Sequence, residues 1–197
     1  MKELNKKDID KIVQILNNGG VIALPTDTIY GFSCLATDDK AVKKICQMKQ
    51  CDDAKLYIVL VSKNYDLHKL VDLSEEQNKF IKNNTPNPLT MIVNRNPNQK
   101  LAQNFYLPTI AIRIPNDEFL QAVLDKVGFM ISTSSNVHGE KPINDFNIIK
   151  SEFENLDAIV QCSTKSSRAT KSSTIIDLTT PDYKILRQGD YVPKIHI

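Results

Sequence analysis

Gly19-Gly20-Val21-Ile22-Ala23-Leu24-Pro25-Thr26-Asp27-Thr28-Ile29-Tyr30-Gly31 is the stretch on which the fold turns. The glycine pair stops a helical segment, Asp8 to Leu16, in which Ile9, Ile12, Val13 and Leu16 recur at helical spacing. Val21 to Leu24 is an apolar run without polar alternation, the pattern of a strand covered on both faces. Pro25 ends it, and Thr26-Asp27-Thr28 begins a turn. A helix feeding a buried strand that opens into a polar turn is how α/β proteins are built.

Outward from this unit the alternation continues, then changes. Asp38 or Asp39 caps a second helix through Met48, with Val42, Ile45 and Met48 on one face. Leu56 to Val61 is a strand, and Ser74 with Gln77 forms a capping box opening a helix that holds Phe80 and Ile81. Further on, strands are expected at Thr90–Val93, Thr109–Ile114, Phe129–Thr133, Asp157–Val160, Ser173–Leu178 and Tyr183–Leu186. Only Asp117–Val127 and a stretch near Asn144–Phe153 read as helices among them. A purely parallel sheet needs a helix at each crossover, so consecutive strands point to an α/β fold with a twisted sheet, parallel and antiparallel, and helices packed on it.

Composition excludes several classes. The chain has 197 residues, 41% hydrophobic and 24% charged, with a net charge of +2, so it is globular and has no global excess of charge that would draw it to nucleic acid or membrane. One domain over 1–197 is expected. No stretch approaches the roughly 18 apolar residues of a membrane span, and the charged N-terminus is not a secretory signal. Cys34, Cys46, Cys51 and Cys162 show no metal-ligand spacing. Scattered thiols fit a reducing compartment, so a cytoplasmic protein without a protein-held metal is expected.

The usual catalytic sets are also missing. His68, His138 and His196 carry no motif, and neither a Walker loop nor a dinucleotide fingerprint occurs. Hydroxyl- and amide-rich segments stand at strand ends instead: residues 25–31, Thr85-Pro86-Asn87-Pro88-Leu89-Thr90, and Ser132-Thr133-Ser134-Ser135-Asn136. Such segments are turns by default, but at the strand ends of an open sheet they also suit a phosphate or another anion. Lys40, Lys43, Lys44 and Lys49 lie in an acid-free stretch, as do Lys165, Arg168 and Lys171. Arg113, inside the apolar strand Ile110-Ala111-Ile112-Arg113-Ile114, and Arg187, ending Tyr183-Lys184-Ile185-Leu186, each need an anionic partner, either a protein carboxylate or a ligand.

In chain order these segments resemble the YrdC family of threonylcarbamoyl-adenylate synthases, in its short, single-domain form. Residues 20–31 are similar to the family's strand plus P-T-(E/D)-T-x-Y-G signature, and Pro86-Asn87-Pro88-Leu89-Thr90 to its P-G-P-x-T segment. Ile110 to Pro115 resembles the arginine strand, and residues 132–139 the T-S-A-N-x-x-G loop. Ser173-Thr174-Ile175-Ile176-Asp177 and Ile185-Leu186-Arg187-Gln188-Gly189 resemble the closing segments. Each match alone is weak; the ordered set is specific.

The resemblance implies a nucleotidyltransferase that joins L-threonine, bicarbonate or CO2, and ATP with Mg²⁺ into threonylcarbamoyl-AMP and pyrophosphate. A separate tRNA threonylcarbamoyltransferase complex then modifies an adenosine beside the anticodon, and contact with tRNA or double-stranded RNA is implied. The substrate is the nucleophile, which accounts for the missing triad. By matching position, Thr28, Tyr30, Arg113 and Thr133 hold threonine, while Lys49, Ser134, Asn136, Ser173 and Arg187 bind the nucleotide. Lys49 and Arg113 are the catalytic candidates.

The chain departs from the pattern at Lys49-Gln50-Cys51, where the family has K-x-R, at Lys55-Leu56-Tyr57 for K-P-L, and at Asn87 for a glycine. A thiol supplies no permanent charge, and a lost charge-assisted contact is worth about 1.5–3 kcal/mol. Lys55 or a basic residue of the 161–175 loop, such as Arg168, is the expected substitute. The alternative is a catalytically degenerate YrdC-like module that binds RNA. A carbamoyl-transfer domain of hydrogenase maturation proteins is a poorer match, because those carry zinc-finger cysteines.

Overall fold

The central strands are buried along most of their length, as a sheet covered by helices on both faces requires. The computed structural model describes residues 1–51, 57–102, 107–162 and 171–195. In chain order the elements are β1 (Lys2–Asn5), α1 (Ile9–Asn17), β2 (Ile22–Leu24), β3 (Gly31–Cys34), α2 (Asp39–Met48) and β4 (Ile58–Val61). Then come β5 (Val71–Asp72), α3 (Glu75–Asn84), β6 (Leu89–Arg95), β7 (Thr109–Arg113), α4 (Glu118–Val127) and β8 (Phe129–Ser134). The last are α5 (Phe146–Glu152), β9 (Ala158–Gln161), β10 (Thr174–Asp177) and β11 (Lys184–Arg187). The expected strand at Leu56 begins at Ile58 among the described residues; Lys55, Leu56, Lys165, Arg168 and His196 lie outside them.

The strands form one mixed sheet in the order β1-β9-β2-β3-β8-β4-β7-β6-β10-β11, with β5 alongside β6. Pairs β1/β9, β2/β9, β4/β7 and β6/β10 are parallel. At its centre β8 runs antiparallel to both β3 and β4. The expected mixture of directions is therefore present. β1, β3 and β5 were not legible as strands: β1 is polar and pairs with β9, and β5 is two residues beside β6.

Period-two alternation sorts the core. Val59 and Val61 of β4, with Phe129 and Ile131 of β8, face a cluster that includes Val42 and Ile45 of α2, Phe80 and Ile81 of α3, and Ile149 of α5. Leu60 and Met130 turn to the other face, against Ile12 and Leu16 of α1 and Leu120, Val123 and Leu124 of α4. The Ser74–Gln77 capping box is complete. No helix among the described residues is long and apolar enough to cross a membrane.

Helix α2 ends in a six-residue closure. The Cys51 N–H donates to the Cys46 carbonyl at 3.1 Å and the Gln50 N–H to the Gln47 carbonyl at 3.1 Å. This places Gln50 at φ +50°, in the left-handed region that glycine fills at less cost. Replacing Gln50 with Gly is expected to stabilise the fold by about 0.5–1 kcal/mol. A higher urea midpoint at unchanged slope checks this.

Candidate functional site

The helices α1 and α4 cover only part of their sheet face; the remainder is an open cleft of about 220 Å³. Alternation decides what lines it. In β7, Ile110 and Ile112 belong to the core on the opposite face, so Arg113 emerges on the cleft side. In β8, Phe129 and Ile131 go to the core, and Ser132 and Ser134 line the cleft. Its floor also includes Gly31 of β3 and Ile58 and Leu60 of β4. Close packing demands a glycine at 31: an added Cβ would lie 2.5 Å from Ser132 Oγ and 3.0 Å from the Thr133 carbonyl oxygen.

One wall is the turn between β2 and β3. Thr26 Oγ1 donates to the Ile29 carbonyl at 2.7 Å and accepts the Thr28 N–H at 3.1 Å, which curls the turn tightly. Arg113 reaches into this turn. Its Nη1 donates to Thr28 Oγ1 at 3.1 Å, and its Nη2 pairs with Asp27. Asp27 also accepts the Asn116 N–H at 3.0 Å. The partner that Arg113 requires is thus a protein carboxylate, while its buried Nε–H has no partner among the described residues.

The opposite wall comes from β10 and β11. Arg187 Nε and Nη2 donate to the Ser173 carbonyl at 3.1 and 2.8 Å, and Ser173 Oγ lies 2.8 Å from Thr90 Oγ1. Arg187 makes no ion pair among the described residues, although the residue as a whole is exposed. Partial enclosure of its guanidinium and, to a smaller degree, the Arg113 charge push its pKa below the ordinary arginine value. Two guanidinium groups near enough to oppose each other's charge make a place for an anion.

Thr28, Tyr30, Arg113, Thr133, Ser134, Ser173 and Arg187 therefore share one cleft, with Thr26 beside them. Tyr30 contributes its ring only in part, because its hydroxyl donates to the Val160 carbonyl at 2.9 Å and accepts the Cys162 N–H at 3.2 Å. Burial raises its pKa to about 12, so it stays protonated at neutral pH.

Lys49 and Asn136 lie behind the cleft wall and do not line it. Lys49, a residue only 5% exposed, donates from Nζ to the Ser134 carbonyl at 2.6 Å and the Asn136 carbonyl at 2.8 Å. Asn136 Nδ2 in turn donates to the carbonyls of Val137 and Glu140 at 2.7 and 2.9 Å. These two residues shape the loop that follows β8.

Cys51 faces inward. Its thiol lies 3.5 Å from the Tyr57 hydroxyl, and the Cys46 thiol lies 2.9 Å from the same oxygen. Burial, then the Cys46 contact, raises the Tyr57 pKa. Tyr57 does line the cleft, so Cys51 touches the site through that ring. Sequence reasoning gave no role to Asp27, Tyr57 or Ser132; the signal for Asp27 was its place between two turn threonines opposite an arginine that needed a carboxylate.

Among the described residues no group of three or more His, Cys, Asp or Glu side chains could hold a metal. Asp27, beside the cleft, is already held by Arg113 and Asn116. This donor set does not fit a Mg²⁺ ion bound by the protein.

A family model described as Sua5/YciO/YrdC, "Telomere recombination", matches residues 14–189. The uncharacterized protein YciO of Escherichia coli K12 is 32% identical over 190 residues, covering 92% of this chain and 88% of its own. Its crystal structure superimposes with a TM-score of 0.82 at 27% identity, covering 98% of this chain and 95% of that one. A Methanocaldococcus jannaschii protein provisionally named threonylcarbamoyl-AMP synthase is 27% identical over 194 residues, covering 95% of this chain and 90% of its own. The P. abyssi Sua5 structure complexed with L-threonine shares the fold at TM-score 0.85 and 23% identity, covering 95% of this chain. This chain spans 57% of the length of that Sua5 chain.

Replacing Lys49 with Met would leave the carbonyls of Ser134 and Asn136 without their charged donor. The expected cost is about 3 kcal/mol, with faster amide exchange across residues 134–140. A thermal melt and hydrogen exchange check it.

Proposed function

The chain belongs to the Sua5/YciO/YrdC family, and from that premise we propose that it is an L-threonylcarbamoyladenylate synthase, acting as a nucleotidyltransferase. The observation that carries the reading is the cleft itself. It combines two arginines with threonine and serine hydroxyls, and no histidine or cysteine among the described residues lines it. Such a surface can position reactants and answer phosphate charge, but it offers no strong general base.

That is the surface the reaction requires. The threonine amine adds to bicarbonate or CO2, and with bicarbonate water leaves as the carbamate forms. A carbamate oxygen attacks the α-phosphorus of ATP, the bond to the β-phosphate oxygen breaks, and pyrophosphate leaves. In this proposal Thr28, the Tyr30 ring, Arg113 and Thr133 hold threonine, with the free Arg113 Nε–H donating to its carboxylate. Ser134, Ser173 and Arg187 hold the adenylate. Lys49 and Asn136 act from behind by fixing the 134–140 loop. Mg²⁺ travels on the ATP phosphates, since the donors beside the cleft do not suit it.

The threonylcarbamoyl group passes from the cytoplasmic adenylate to tRNA through the separate transferase complex. Cys51 bears on the competing reading, a degenerate RNA-binding module, because its thiol is turned toward Cys46 and Tyr57 and adds no cation to the cleft. Lys55 and Arg168, the proposed substitutes, lie outside the described residues.

Purified protein is expected to release pyrophosphate only when ATP, L-threonine and bicarbonate are all present. Arg187→Gln is expected to lower kcat/KM for ATP about tenfold to a hundredfold, the worth of one charge-assisted contact. RNA binding without threonine-dependent release by the wild type would favour the degenerate module.

A further inference from the structure

Arg113 and Arg187 are the charged side chains among the residues lining the cleft, but their surroundings differ. Arg113 is paired with Asp27, and the two side chains are 5% and 6% exposed. Asp27 is not among the described residues lining the cleft; its second carboxylate oxygen accepts the Asn116 N–H at 3.0 Å. Thr28 takes a second arginine nitrogen, and the buried Nε–H has no partner among the described residues. Arg187 has only neutral oxygens of Ser173 as hydrogen-bond partners among the described residues.

We infer that Asp27 is a specificity-determining residue, offsetting the charge of Arg113 so that, among the described residues lining the cleft, Arg187 is the one uncompensated cation. Arg113 then serves as an oriented hydrogen-bond donor and not as a second phosphate anchor. A ligand with one anionic group at each end, such as an aminoacyl-type adenylate, is matched by this arrangement. A compact polyanion is not, because among the described residues it finds one net charge where its own charge calls for two. For a reaction that releases pyrophosphate, the balance favours product departure. The inference deepens the synthase reading and rests on it for the identity of the released anion; the charge balance is a property of the free protein.

A fixed charge a few ångströms from the binding position, at a protein-surface dielectric, changes anion affinity by about tenfold or more. Calorimetric titration with inorganic pyrophosphate in metal-free buffer tests the idea on the full chain. Asp27→Asn is expected to bind pyrophosphate at least about tenfold more tightly than wild type, and Arg187→Gln at least about tenfold more weakly. A gain of affinity is an effect that simple structural damage does not produce. Unchanged or weaker binding by Asp27→Asn, or wild-type affinity in Arg187→Gln, would overturn the inference. Should Asp27→Asn fail to fold, Asp27→Ser removes the same charge with a smaller side chain and is held to the same outcome. Failure of the wild type to release pyrophosphate from ATP and threonine would defeat the synthase reading alone, leaving these affinities to decide the role of Asp27.

Discussion

A buried ammonium must be surrounded by oxygen, and the cleft is organised around that demand at Lys49. The charge lies at the end of α2, inside the protein, 5.8 Å from the centre of the Phe32 ring. The Ser134 and Asn136 carbonyls are drawn in to meet it, so the chain leaving β8 must bend over the helix end. The Lys49 carbonyl then accepts the His138 N–H at 2.7 Å, closing the loop on the same residue. Ser135 Oγ, within this bend, donates to the carbonyls of Tyr30 and Ile143 at 3.0 and 2.7 Å, and the Tyr30 N–H is taken by Asn144 at 2.9 Å. One buried charge thus fixes the rear of the cleft and, through Tyr30, the start of β3.

The floor depends on a second constraint, the close approach of β3 to β8. Gly31 opposes Ser134 in the ladder, and the absence of a side chain at 31 lets Ser132 and Thr133 come near. Hydroxyls can therefore line a sheet surface that larger side chains would fill. The reaction proposed asks for donors and charge in fixed positions, and a rigid strand holds them more accurately than a loop.

Much of this was legible in the sequence because local rules and tertiary structure agreed. The caps at Asp38 and Ser74 are made as their spacing implies. The strand 110–114 was recognisable, and the oddity of its arginine correctly marked a need for an anion. Where reading failed, local pattern was silent or ambiguous. β3 is four residues between a polar turn and a loop, and only its neighbours β2 and β8 make it a strand. Lys49, in the acid-free stretch with Lys40, Lys43 and Lys44, was read as a nucleotide contact, yet it follows Val42, Ile45 and Cys46 at helical spacing. The same periodicity that buries those residues buries Lys49, a signal present but unused.

Asp27 illustrates a different limit. A sequence can say that an arginine in an apolar strand needs a carboxylate, but not whether protein or ligand supplies it. The answer lies in sheet order: β2 and β7 are separated by β3, β8 and β4, so the turn after β2 must reach over those strand ends to meet Arg113. A buried ion pair of this kind adds little net stability, since desolvating both groups offsets most of their attraction. What it adds is definition. It holds the turn across the cleft, aims the remaining guanidinium N–H, and removes one unit of charge from a surface that must bind anions and let them go. Stability alone would be served as well by two apolar side chains; the pair makes sense at the edge of a site whose charge has to be set.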